Sequence, residues 1–159
     1  MLWNVDIDDF QFFSIDSINV PNKGSTAGTR RANFRANTNT EARATYPIQP
    51  GGVGPATIKI SWFPSNVNTG NVRWRIQYGF HTVGSVITAP SNSIVQVQAA
   101  PGVKNQLMTQ GFEIPDIFGG ASGIMNFKIQ RRGTHTGDTY TGIARLIGFC
   151  YRRNRIPKP

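Results

Sequence analysis

The chain has 159 residues, 17 basic and eight acidic side chains, and a formal net charge of +9. Its single cysteine excludes an internal disulfide scaffold, and no apolar run approaches the roughly 18 residues that span a bilayer. Asp6, Asp8, Asp9 and Asp16 all precede the first lysine or arginine, which is the wrong polarity for a secretory leader and gives an acidic arm ahead of a basic body.

In chain order, Trp3-Asn4-Val5-Asp6-Ile7-Asp8 alternates apolar with polar or acidic residues. Such a strip can add as a strand to an exposed sheet edge, with Trp3 in an apolar site and Asp6 and Asp8 facing arginines of a neighbouring copy. The rival reading is a first strand of the chain's own sandwich. Phe10 to Val20 and Thr29 to Arg35 are weak strand candidates. Residues 21 to 56 are rich in Gly, Thr, Ala, Asn and Pro, carry Arg30, Arg31, Arg35 and Arg43, and read mainly as a long loop. Residues 1–55 are therefore taken as an N-terminal arm with weak strands, and 56–159 as the body.

From residue 56 a period of two dominates. Ile58, Ile60 and Trp62 alternate with Lys59 and Ser61; Val72, Trp74, Ile76, Tyr78 and Phe80 alternate with Arg73, Arg75, Gln77 and Gly79. Successive strand side chains point to opposite faces. Trp74 is thus expected in the core, away from Arg73 and Arg75, and cannot sandwich a base with them. Val95, Val97 and Ala99 alternate with Gln96 and Gln98, and Met125, Phe127 and Ile129 with Asn126, Lys128 and Gln130. A further weak strand is expected from Asn105 to Phe112. Tyr140 to Tyr151 is apolar on both faces, which reads as a central strand or one lying under an interface. With turn signals between them, about eight strands predict an all-β, antiparallel, jelly-roll-like β-sandwich with an extended N-terminal arm.

Groups able to do chemistry are sparse. His135 and Asp138 sit in a turn, and Cys150 in the most apolar strand behaves as a small hydrophobe. Cys-x-x-Cys, His-x-x-x-His and calcium-loop spacings are missing, "NKGST" is not a phosphate loop, and Glu113 with Asp116 is too little for a glycosidase pair. The chain reads as a non-enzyme without cofactor or metal. Arg131-Arg132 and Arg152-Arg153-Asn154-Arg155 are basic clusters that suit carboxylates of a protein partner as well as phosphates. Signatures of nucleic-acid-binding folds are absent, so protein contact is preferred. The partner-contact set comprises Trp3, Asp6, Asp8, Arg30, Arg31, Arg73, Arg75, Arg131, Arg132, Arg152, Arg153 and Arg155.

The stretch "SWFPSNVNTGNVRWRIQYGF", followed by "HTGDTYTGIARLIGFCYRRNR", resembles a recurrent group of tailed-phage virion proteins. The shared elements are Trp62, Pro64, Ser65, Thr69 to Trp74, Gly137 to Thr141 and Phe149 to Tyr151. The resemblance spans residues 56 to 155 and leaves 1 to 50 unmatched. It implies a jelly-roll sandwich on a virion, commonly trimeric. The leading expectation is a capsid cement or decoration protein on the major capsid protein or other virion proteins. The alternatives are a tail, head-fibre or baseplate component, or a carbohydrate-binding module for host attachment. The trimer expectation also rests on the final strand, whose second apolar face calls for a cover.

Overall fold

The computed structural model describes the backbone of residues 23–26, 29–48, 50 and 54–153. Nine strands run through them: β1 (Lys23–Thr26), β2 (Thr29–Phe34), β3 (Asn39–Ile48), β4 (Ala56–Pro64), β5 (Asn71–Thr82), β6 (Asn92–Ala99), β7 (Met108–Ile114), β8 (Gly123–Arg132) and β9 (Ala144–Arg153). They form a five-stranded sheet in the order β1-β2-β9-β4-β7 and a four-stranded sheet in the order β3-β8-β5-β6. Every pairing is antiparallel. From β3 onward the chain crosses between the sheets at every step except the β5–β6 hairpin, which stays in the four-stranded sheet, and the result is a jelly-roll-like β-sandwich.

The alternation of β5 and β8 is the reason the sheets stack. Val72, Trp74, Ile76 and Tyr78 from β5, with Met125, Phe127 and Ile129 from β8, meet Ile58, Ile60 and Trp62 from β4 and Phe149 and Tyr151 from β9. Edge-to-face and tilted ring pairs bind the layers. Trp74 packs against Trp62 at 5.8 Å between centroids and against Phe34 at 5.4 Å, and Phe127 meets Phe149 at 5.0 Å. Such pairs add about 0.5–1.5 kcal/mol each beyond their area burial.

Four expectations need correction. The stretch 21–56, read mainly as a long loop, contributes β1 and β3 besides β2, which falls on the weak strand candidate Thr29 to Arg35. β3 pairs with β8 over its whole length, with Ala42, Ala44 and Ile48 facing the core. Its inward alanines are weak strand formers, so the period was faint. The boundary read at residue 55 falls in the crossing from one sheet to the other.

The last weak strand is displaced: β7 begins at Met108, and residues 105–107 belong to the preceding loop.

In β6 the sense of the alternation is inverted. Val95 and Val97 face solvent, while Ile94, Gln96 and Gln98 turn toward the sandwich interior. The cause is at the corner between the sheets, where Gln98 Oε1 accepts from the buried Trp62 indole N–H at 2.7 Å and its amide donates to the Thr109 carbonyl at 2.9 Å. A valine could do neither.

The double apolar face of the last strand has a different origin from the one anticipated. β4 pairs Ser61 with Gly148 but Trp62 with Leu146, a β-bulge that leaves Ile147 as the extra residue. The bulge switches the side-chain parity. Ala144 and Leu146 before it, and Phe149 and Tyr151 after it, all enter the same core. The second face therefore needs no neighbour to cover it. The strand reading over Phe10 to Val20 and the arm Trp3, Asp6 and Asp8 lie outside the described residues.

Candidate functional site

The expected contact arginines do not form one patch. Arg73, Arg75 and Arg132 lie on the outer face of the four-stranded sheet, whereas Arg31 and Arg152 lie on the outer face of the five-stranded sheet. Arg30 and Arg153 are strand residues of β2 and β9 whose side chains are outside the described set, as is Arg155.

Arg131 is a correction. It follows Met125, Phe127 and Ile129 on the inward face of β8, and its side chain is 0% exposed beside an Asp138 side chain at 1%. Its Nη2 and Nε bond the Asp138 carboxylate at 2.6 and 3.0 Å, and Nη1 bonds the carbonyls of Phe34 at 3.0 Å and Gly142 at 2.6 Å. Nη2 also donates to the Tyr140 carbonyl, and the guanidinium lies 5.4 Å from the Tyr140 ring centroid. A cation so enclosed cannot meet a partner. It pins β2, β8 and the segment before β9 together.

The candidate catalytic groups are likewise engaged in structure. His135 Nδ1 accepts from the Gly137 amide, and Asp138 reaches Arg131 and the Arg73 amide rather than His135. Asp116 accepts from the amides of Gly54 and Phe118, and Glu113 from the Thr57 hydroxyl. Burial pushes the Cys150 thiol up, against the opposing pull of Lys59 and Arg152, so it is a poor nucleophile. Among the described residues no cluster of three His, Cys, Asp or Glu could hold a metal.

A recess exists on the outer face of the four-stranded sheet. Register lays Arg43, Lys128, Gln77 and Ser93 in one row across β3, β8, β5 and β6. Glu41, Gln130, Arg75 and Val95 form the row on one side, and Thr45, Asn126 and Gly79 the row on the other. The β5–β6 loop, residues 83–91, folds back over this surface at Gly79. A Cβ there would come 3.3 Å from Pro90 Cα, so glycine lets the loop lie closer than a larger residue would without a small shift of Pro90. Between loop and sheet is an open cleft of about 520 Å³, floored by Arg43, Thr45, Gln77, Asn126 and Lys128 and walled by Ile87 to Pro90. That is within the range of small-ligand clefts.

Glu41 sets the charge at the cleft's edge. Its carboxylate accepts from Arg43 at 3.0 Å, Lys128 at 2.7 Å and Gln130 at 2.9 Å. Burial works to raise its pKa, but the bonds from Lys128, Arg43 and Gln130 outweigh burial and hold the carboxyl below its ordinary value. Sequence reading recognised Gln77, Asn126 and Lys128 as a polar face but not as a site. Arg43 lay in the supposed loop, and only cross-strand register brings these groups together.

The large exposed aliphatics also cluster. Among the described residues they are Val95 and Val97 on β6; Val83, Val86 and Ile87 in the loop before it; Val103 and Leu107 in the loop after it; and Val67 in the β4–β5 loop. The Thr69 methyl and the Val67 carbonyl lie near Gly102, so the β4–β5 loop adjoins the β6–β7 loop beside β6.

No protein-family model and no curated protein matches the chain. Among solved structures, a family 35 carbohydrate-binding module from an environmental isolate is similar over 95% of this chain and 96% of its own, with a TM-score of 0.50 and 13% identity. Family 35 modules from Paenibacillus barcinonensis (13% identity, 92% of this chain and 94% of that one, TM-score 0.47) and Cellvibrio japonicus (14%, 95% and 96%, 0.46) are more distant in shape and support no inference. At such identity the first likeness concerns the fold alone.

Proposed function

We propose that the chain is a non-catalytic binding module whose ligand is a carbohydrate, held on the outer face of the four-stranded sheet. One observation carries the reading. The cleft beneath the β5–β6 loop combines planar amides and a hydroxyl on its floor (Gln77, Asn126, Thr45) with an apolar wall (Ile87, Pro90). Amides pair with vicinal hydroxyls as donor and acceptor at once, while the apolar wall suits the C–H face of a sugar ring. The jelly-roll neighbour is itself a carbohydrate-binding module, which agrees with this ligand class. Glycan-array screening of the purified chain tests it. Binding that falls about tenfold or more in a Gln77→Ala, Asn126→Ala double variant supports the reading, at the usual strength of a few hydrogen bonds. Absence of glycan binding, or binding indifferent to both substitutions, refutes it.

A second reading has its own observation. The aliphatic band along β6 is the kind of surface that a subunit neighbour covers. β6 is a sheet edge without proline or charge to protect it. This favours burial of the band against another subunit; that the assembly is a trimer on a virion, as capsid cement on the major capsid protein or as a tail, fibre or baseplate piece, is what the motif resemblance implies. Both readings meet in a virion module for host attachment. Sedimentation velocity separates them. A stable monomer at micromolar concentration counts against a preformed trimer, and a trimer that dissociates on Val95→Asp, Val97→Asp substitution supports it.

A further inference from the structure

We infer that the ligand of this cleft is an acidic glycan, bound through its carboxylate or sulfate groups. The inference rests on the carbohydrate reading and adds the charge of the ligand. Among the described residues, five cationic side chains, Arg43, Arg73, Arg75, Lys128 and Arg132, share the outer face of the four-stranded sheet with one carboxylate, that of Glu41. Arg43 and Lys128 are direct cross-strand partners, and like charges placed opposite each other weaken a sheet. Glu41 bridges that pair, accepting from both, and a single carboxylate leaves the pair net positive. Among the described residues this leaves one positive charge of the pair unbalanced on the floor of the cleft. An anionic group seated there supplies the missing charge, and its bonds to guanidinium and ammonium are the charge-assisted kind.

The surroundings select among anions. Gln77 continues the row from Lys128, and Asn126 and Thr45 occupy the next row, so hydroxyls flanking the anionic group find partners. Trp62 and Trp74 are fully buried, and among the described residues no aromatic ring lines the loop wall or projects above the floor, Phe127 being a core residue at its base. A nucleic-acid strand would lack the stacking platforms on which single-stranded bases are held. A neutral sugar would find the aliphatic wall of Ile87 and Pro90 but no aromatic ring among the described residues on which to stack. Charge and hydroxyl hydrogen bonding are what the floor of this cleft offers.

The test is calorimetric titration of the full chain with an oligogalacturonate, its fully methyl-esterified form and a sulfated oligosaccharide of similar length. A single-stranded oligonucleotide and a synthetic peptide of residues 1–16 serve as competitors. The expected result is binding of the uronate, about tenfold weaker binding of the ester, and about tenfold weaker uronate binding by Arg43→Gln and by Lys128→Gln. Retained melting temperatures show that those variants still fold. Binding of the sulfated probe in place of the uronate also supports the inference and assigns sulfate as the anion. Equal affinity for uronate and ester, lost in the Gln77→Ala, Asn126→Ala variant, overturns the inference while leaving the carbohydrate reading intact. Failure of every glycan overturns both. Displacement of the uronate by stoichiometric peptide or oligonucleotide at equal or higher affinity also overturns it, and makes the cleft a site for the chain's acidic arm or for phosphodiesters.

Discussion

Truncating Asp138 to alanine isolates the enclosed ion pair. In the wild type the carboxylate takes two bonds from Arg131, at 2.6 and 3.0 Å, and one from the Arg73 amide at 3.0 Å. Asp138→Ala leaves the guanidinium with its three carbonyl acceptors but without a counter-charge, in a place where its side chain has no access to water. Removing one partner of a buried pair costs about 3–5 kcal/mol. A domain of this size holds about 5–15 kcal/mol in all, so the loss is a large fraction of its stability. At about 2–4 °C per kcal/mol for chains of this length, the melting temperature should fall by about 6–20 °C. Differential scanning calorimetry reads the shift, and urea titration gives the free energy with the m-value as a check on the unfolded state. The double change Arg131→Met, Asp138→Leu should cost less than Asp138→Ala alone, because it removes both charges and leaves no buried ion. A single variant within about 1 kcal/mol of wild type, the scale of an ordinary surface change, would refute the claim that Arg131 depends on Asp138.

Three further expectations follow from particular contacts. Gln98→Ala leaves the Trp62 indole N–H without its acceptor, and chemical denaturation should show a loss of about 1–3 kcal/mol at unchanged m-value; no change would mean the corner between β6 and β7 does not rely on that bond. Glu41 is held below its ordinary pKa by Lys128, Arg43 and Gln130 against the effect of burial, with Arg75 one strand further across the sheet. Its contribution to stability is thus present above the unfolded carboxylate pKa and disappears as pH falls through the lower folded value. Protonation also frees Arg43 and Lys128, so affinity for a sulfated oligosaccharide should rise on acidification through that value, and Glu41→Gln should raise it at neutral pH and remove the acid-side increase; titration at several pH values reads both. Burial raises the Cys150 thiol above its ordinary value despite Lys59 and Arg152, so alkylation at pH 8 should be slower than for an unstructured cysteine peptide, and an equal or faster rate would contradict the placement.

The strand sequence of the body was legible because side-chain alternation is local. Trp62 and Trp74 sit in the core where the period of two put them. The same rule held information that a cluster reading overlooked. Arg131 extends the inward series Met125, Phe127, Ile129, while Arg132 points out; adjacent arginines in a strand are on opposite faces and make no patch. In β6, by contrast, the alternation of valine and glutamine could not reveal which face turns inward. That depends on an unpaired indole N–H far away in the chain, which only Gln98 satisfies. In β9, one inserted residue at the bulge converted a two-faced apolar pattern into a one-faced core strand, and no local count distinguishes those cases.

By itself the sequence determined an all-β chain with two packed layers, because period-two alternation over several segments leaves one apolar face per strand that must be covered. It also determined the surplus of positive charge in the body. Where that charge lies was decided by the tertiary structure. Thr45 and Asn126 are 81 residues apart yet bond across β3 and β8, and the same register sets Arg43 against Lys128 and Lys128 against Gln77. Strand register is a non-local choice, fixed by backbone hydrogen bonding and the burial of the opposite face. The cleft floor therefore exists only once three strands from distant parts of the chain lie side by side, with the β5–β6 loop resting on Gly79.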